Sequence, residues 1–167
     1  MKTSVFGALF AALAFAACRT TPAPVPVQAS ASDLQQLAGD WEGEYSSEAT
    51  GRSGSIQFKL VPGENQAQGD VLMVAGGSTV PYGAAVTTGR EQAHPGSQLL
   101  TIRFVNSAGG AVTGTLDPYH DPDCDCEVET TFSGKQQGDT IEGTFTSTSS
   151  RTAGRTGGRW KVTRKRG

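Results

Sequence analysis

This chain of 167 residues is short of nearly everything that catalysis draws on. It has two histidines, His94 and His120, and three cysteines. It contains no G-x-S-x-G elbow, no H-E-x-x-H and no phosphate-cradling glycine loop ending in lysine. Those gaps remove the hydrolases, zinc proteases and nucleotide enzymes that such motifs mark, and the chain reads as a non-enzyme with no implied cofactor. His94 lies in EQAHPG, a turn signature. The glycine-rich pieces AGGS at Ala75 and SAGGA at Ser107 read as hairpin turns. Glu42 and Glu44 share one strand face, a carboxylate pair that could equally be a solvated outer face. Charged residues make up only 18% of the chain. Beyond Leu37 no stretch keeps an apolar 3.6-residue period over several turns, which excludes a helical domain. Basic residues do not alternate with aromatics, so nucleic acid is not an expected partner.

What is present begins at the N-terminus. Lys2 precedes an apolar run from Val5 to Phe15, and Ala16 and Ala17 lead into Cys18. The run is shorter than the roughly 20 apolar residues of a membrane-spanning helix, and its layout is that of a cleaved export signal. The segment resembles the lipobox of bacterial lipoproteins, in which the cysteine after the cut carries the lipid. Phe15 stands where that family prefers Leu, and Ala14-Phe15-Ala16 offers an ordinary cleavage site as the rival reading. The resemblance implies a signal over residues 1–17, lipid attachment at Cys18 and membrane association through that lipid. Arg19, in place of the Asp that retains such proteins at the inner membrane, implies an exported protein held at the outer membrane and facing the periplasm. Residues 18–32 include TTPAPVPVQASAS, a proline- and alanine-rich composition that reads as a tether.

Residues 33–167 have the size of a single domain and read as all-β. The chain holds 22 glycines, and period-2 alternation recurs. Trp41, Gly43 and Tyr45 share one face, as do Ile56, Phe58 and Leu60, then Leu100, Ile102 and Phe104, then Val112, Gly114 and Leu116. Val128, Thr130 and Phe132 pair with Ile141, Gly143 and Phe145 across GKQQGD, and Trp160 and Val162 end the series. Val71 to Val74 is apolar on both faces, which suggests deeper burial. A short helix or turn is expected at 33–38, with Asp33 as its cap. The expected architecture is a single small antiparallel meander barrel of about eight strands, because closure removes exposed edges. Gly39-Asp40-Trp41 near the start and Arg164 near the end give a weak resemblance to the calycins, the lipocalin and avidin-like barrels. That resemblance implies that Arg164, on the last strand, packs across Trp41, on the first, and closes the barrel. The domain has 29 large apolar or aromatic side chains, so a wide cavity competes with the core, and a filled interior and a hollow one both stay open.

The densest polar feature is DPYHDPDCDCEVE, from Asp117 to Glu129. Asp121, Asp123 and Asp125 offer oxygen ligands to calcium, and His120, Cys124 and Cys126 offer softer ligands to zinc or copper. An EF-hand loop would need glycine and glutamate where Cys126 and Phe132 stand, and the thiol set lacks a second pair. Cys124 and Cys126 also suit a local disulfide in an oxidising compartment, with Pro122 favouring the turn that brings them together. Disulfide, metal site and free or intermolecular thiols are the three readings.

Residues 33–150 hold sixteen acidic and five basic side chains, whereas residues 151–166 hold seven basic ones and no acid. This is either an anion-binding strip or a strand whose outward bases are solvated or paired with nearby acids. Two functions remain. One is a non-catalytic binding or structural module of the envelope, accommodating a small apolar ligand or another envelope component. The other is metal handling by the loop at 117–129.

Overall fold

The computed structural model describes residues 24–62, 64–74, 97–122, 124–151 and 154–166. Ten strands and one helix follow in the order β1 (Val25–Ala29), α1 (Ala31–Leu37), β2 (Gly39–Ser47), β3 (Arg52–Leu60), β4 (Gln66–Val74), β5 (Gln98–Ala108), β6 (Ala111–Leu116), β7 (Tyr119–Asp121), β8 (Cys126–Gln137), β9 (Thr140–Ser149) and β10 (Arg155–Arg164). Antiparallel ladders run from β2 through β6, on to β8, β9 and β10, and back from β10 to β2. The wall is therefore a closed, small all-β barrel, as the calycin resemblance implies.

The barrel departs from a pure meander at one seam. Among the described residues, strands β4 and β5 pair from Asp70 to Met73 against Gln98 to Thr101. Beyond that they diverge, and β1 fills the gap. It runs antiparallel to β4 at Val25 and Pro26 and parallel to β5 from Val27 to Ala29. The result is a mixed barrel of nine strands. Part of the stretch read as a tether thus belongs to the wall. Val25 and Val27 alternate at period 2 and are 1% and 5% exposed. The proline-rich composition around them masks this alternation in the sequence.

Helix α1 also starts earlier than expected. Its N-cap is Ser30, whose hydroxyl accepts from the backbone N–H of Asp33 at 3.2 Å; Asp33 sits in the first turn. There its carboxylate favours the positive end of the helix dipole and accepts from the Gly109 N–H at 3.1 Å. Leu37, at the other end, is fully buried and plugs the barrel.

The inward set follows from strand alternation. On β2 it is Trp41, Gly43, Tyr45 and Ser47, and on β3 it is Arg52, Gly54, Ile56, Phe58 and Leu60. On β5 the alternation breaks. Leu100 and Ile102 face inward, but a register shift between Ile102 and Phe104 turns Val105 inward instead of Phe104. An extra residue in one strand exchanges the faces of everything after it. Val71 and Met73 are buried, while Leu72 lies on the outer face opposite Leu99, which is 63% exposed.

Two of the hairpins, β5–β6 and β8–β9, close through two-residue turns. Gly109 and Gly110 both have positive φ between β5 and β6, which suits a two-residue turn. The β8–β9 turn is shorter than GKQQGD suggested. The ladder continues to Gln137 and Thr140, leaving only Gly138 and Asp139, and Phe132 faces Phe145. The AGGS segment and His94 lie outside the described residues.

Several glycines make room for rings. A Cβ on Gly114 would sit 2.3 Å from the Phe132 ring and 2.2 Å from the Phe104 carbonyl oxygen. On Gly134 it would sit 2.5 Å from the Trp160 indole. Gly114→Val is therefore expected to cost about 2–3 kcal/mol, the upper range for overpacking. Urea denaturation measures this, and an unchanged midpoint would contradict the packing.

Candidate functional site

The barrel is hollow. An internal cavity of about 440 Å³ is lined by inward side chains from all the long strands. Its walls change character along the axis. Nearest α1 lie Leu37, Trp41, Ile141 and Val162. Next comes an aromatic belt in which Tyr45 meets Phe145 edge-on at 5.6 Å and Phe132 meets Trp160 at 5.7 Å. The Trp160 indole N–H is satisfied by the Ser133 and Thr144 carbonyls at 3.2 and 3.1 Å. At the far end, where the β2–β3 hairpin and the start of β8 lie, the lining turns to hydroxyls. Thr130 and Ser147 share a hydrogen bond of 2.7 Å, and the Ser47 hydroxyl donates to the Gly157 carbonyl at 2.7 Å.

The far end also carries an internal ion pair. The two terminal guanidinium nitrogens of Arg52 each donate to one carboxylate oxygen of Asp121. Their residues are 9% and 6% exposed. Among the described residues lining the cavity, no other side chain is charged. Arg52 arrives there because it continues the inward set of β3. Asp121 arrives because β7 alternates: Tyr119 and Asp121 line the cavity and His120 points outward.

That alternation separates the residues proposed as metal ligands. Asp121 is committed to Arg52 inside the barrel. His120 and Asp125 meet each other outside it, Nε2 to Oδ1, at 2.9 Å. Asp123 lies outside the described residues. Cys124 and Cys126 form a disulfide with a Cα separation of 5.2 Å, with Asp125 between them in the left-handed region at φ 49°. Among the described residues no three potential metal-ligating side chains converge.

The α1 end is closed by Trp41 and Arg164. The Trp41 indole N–H donates to the Leu37 carbonyl at 2.7 Å. Arg164 lies over the Trp41 ring at 4.3 Å, a cation–π contact. Its guanidinium also donates to the Ala38 and Gln36 carbonyls at the C-terminal end of α1 and pairs with Asp139 at 3.0 Å. One side chain thus joins the helix, the first long strand, the last strand and the β8–β9 turn.

Arg159 and Lys161 on the last strand, and Lys165 just beyond it, are paired. Arg159 meets Glu48 at 2.9 Å, Lys161 meets Glu142 at 3.6 Å and Lys165 meets Glu42 at 2.6 Å. The hydrogen bond and charge of Glu42 hold the Lys165 ammonium above its ordinary pKa. Exposed pairs of this kind are screened by water and salt and add little to stability. On β4, partial burial raises the Asp70 carboxyl above its usual range.

Sequence reasoning located Trp41, Arg164 and the cysteine pair but missed Arg52 and the hydroxyl lining. The signal was present. Stepping back by twos from Ile56 reaches Gly54 and Arg52, and stepping forward by twos from Trp41 reaches Ser47. The chain matches no protein-family model, no curated protein and no solved structure.

Proposed function

We propose that this protein is a lipid-anchored envelope module that holds a small apolar or amphiphilic molecule inside its barrel without transforming it. The cavity carries this reading. Its volume falls within the roughly 300–1,000 Å³ of typical small-molecule sites, and its walls are mostly aliphatic and aromatic. Burial of apolar ligand surface supplies about 25 cal/mol per Å², and a few polar groups then orient the occupant.

Titration with N-phenylnaphthylamine, a neutral apolar fluorophore, tests the container. The expected result is a saturable rise in emission at one molecule per chain. A rise that never saturates would contradict an internal site.

The envelope location rests on the N-terminal signal and Cys18. Expression with labelled palmitate is expected to mark the native chain and leave Cys18→Ser unlabelled. Equal labelling of the two would refute attachment at Cys18.

A further inference from the structure

We propose that the occupant of the cavity is an uncharged amphiphile with a hydroxyl head, such as a long-chain alcohol or a monoacylglycerol, seated head-first toward the Arg52–Asp121 pair. This rests on the container reading above and adds the chemical class of the ligand. Three observations carry it. The tail region is apolar and capped at one end by Leu37 and Trp41. The opposite end is lined with hydroxyls, among them Ser47, Thr130 and Ser147. The lining's only cation and only anion among the described residues are already joined by two hydrogen bonds.

The charge balance decides the head group. A carboxylate head would enter a low-dielectric space where the one guanidinium is already neutralised by Asp121. It would have to break that bidentate pair or remain uncompensated, and either is costly. An ammonium head meets the mirror problem at Asp121. A hydroxyl carries no charge and can both donate and accept. The Thr130–Ser147 bond uses one donor and leaves acceptor capacity on both oxygens, so a ligand O–H fits such a lining. A bare alkyl chain would leave those polar groups facing hydrocarbon, which also costs affinity.

Displacement of bound N-phenylnaphthylamine by dodecanol, dodecanoate and dodecylammonium at neutral pH tests the proposal. Dodecanol is expected to bind at least about tenfold more tightly than either ion, the effect of one unfavourable charge term. Asp121→Asn removes the negative charge that faces the Arg52 guanidinium, and the order is expected to invert toward dodecanoate. Arg52→Gln is expected to invert it toward dodecylammonium. The native ranking needs no variant, so it decides the matter whether or not the substituted chains fold. Probe that fails to bind strikes the container itself. Probe that binds and is displaced by dodecanoate as well as by dodecanol, or by none of the three, overturns the hydroxyl-head assignment alone.

Discussion

Trp41→Ala is expected to lower stability by about 3–5 kcal/mol, the range for deleting a buried aromatic side chain. Trp41 is 1% exposed and among the largest fully buried side chains. Its removal enlarges a cavity that is already present, so neighbouring side chains have little to collapse onto. The change also leaves the Leu37 carbonyl without its indole donor and removes the ring beneath Arg164. Trp41→Phe keeps most of the ring area but loses the indole N–H, so its cost is expected to be smaller. Urea unfolding followed by circular dichroism measures both. A loss below about 1 kcal/mol for Trp41→Ala would mean that the α1 end is not held by this residue.

Asp121→Leu is expected to be as damaging, at about 3–5 kcal/mol, because it removes the carboxylate that accepts from both terminal nitrogens of the buried Arg52 guanidinium. The companion Arg52→Met/Asp121→Leu is expected to be far milder, within about 1 kcal/mol of the native protein. The pair contributes little over an apolar replacement of similar volume, since desolvation offsets most of its attraction. A double-mutant cycle by urea denaturation separates the two effects. If the double variant were as unstable as the single one, packing rather than uncompensated charge would account for the loss. The same double variant would have a more uniformly apolar cavity. This distinguishes the pair's effect on what the cavity accepts from its effect on folding.

Much of this fold was legible because closed barrels write themselves as alternation. Trp41-Gly43-Tyr45, Ile56-Phe58-Leu60 and Trp160-Val162 all point inward as their spacing predicts. The glycine turn at Gly109-Gly110 was readable from chemistry, since few other residues accept positive φ at both positions. Strand β1 was hidden because two valines among prolines and alanines are a weak signal. What places them is the gap between β4 and β5, a long-range feature that local composition does not contain. The bulge before Phe104 was hidden for a similar reason. Nothing in LLTIRFV marks the extra residue, and its position is set by the partner ladder with β6.

The site was less legible than the fold. Asp121 stands out in the sequence only as one carboxylate of an acidic loop, where a calcium ligand is one of its readings. Its actual partner, Arg52, lies 69 residues away in sequence on another strand. The hollowness itself was undetermined by composition. The same 29 large side chains can fill a small barrel or line a wider one. The choice depends on where glycine and serine fall among the inward positions. On β2, for example, the inward order is Trp41, Gly43, Tyr45, Ser47, so bulk alternates with space.

The protein's only two tryptophans, Trp41 and Trp160, both line the cavity, so they report directly on its occupant. Titration with dodecanol brominated along its chain is the sharpest test, because bromine quenches indole emission only near contact. The interior site predicts saturable quenching at one molecule per chain, reversed by unbrominated dodecanol. Weak quenching that grows linearly with concentration and is not reversed would mean that the barrel admits no guest.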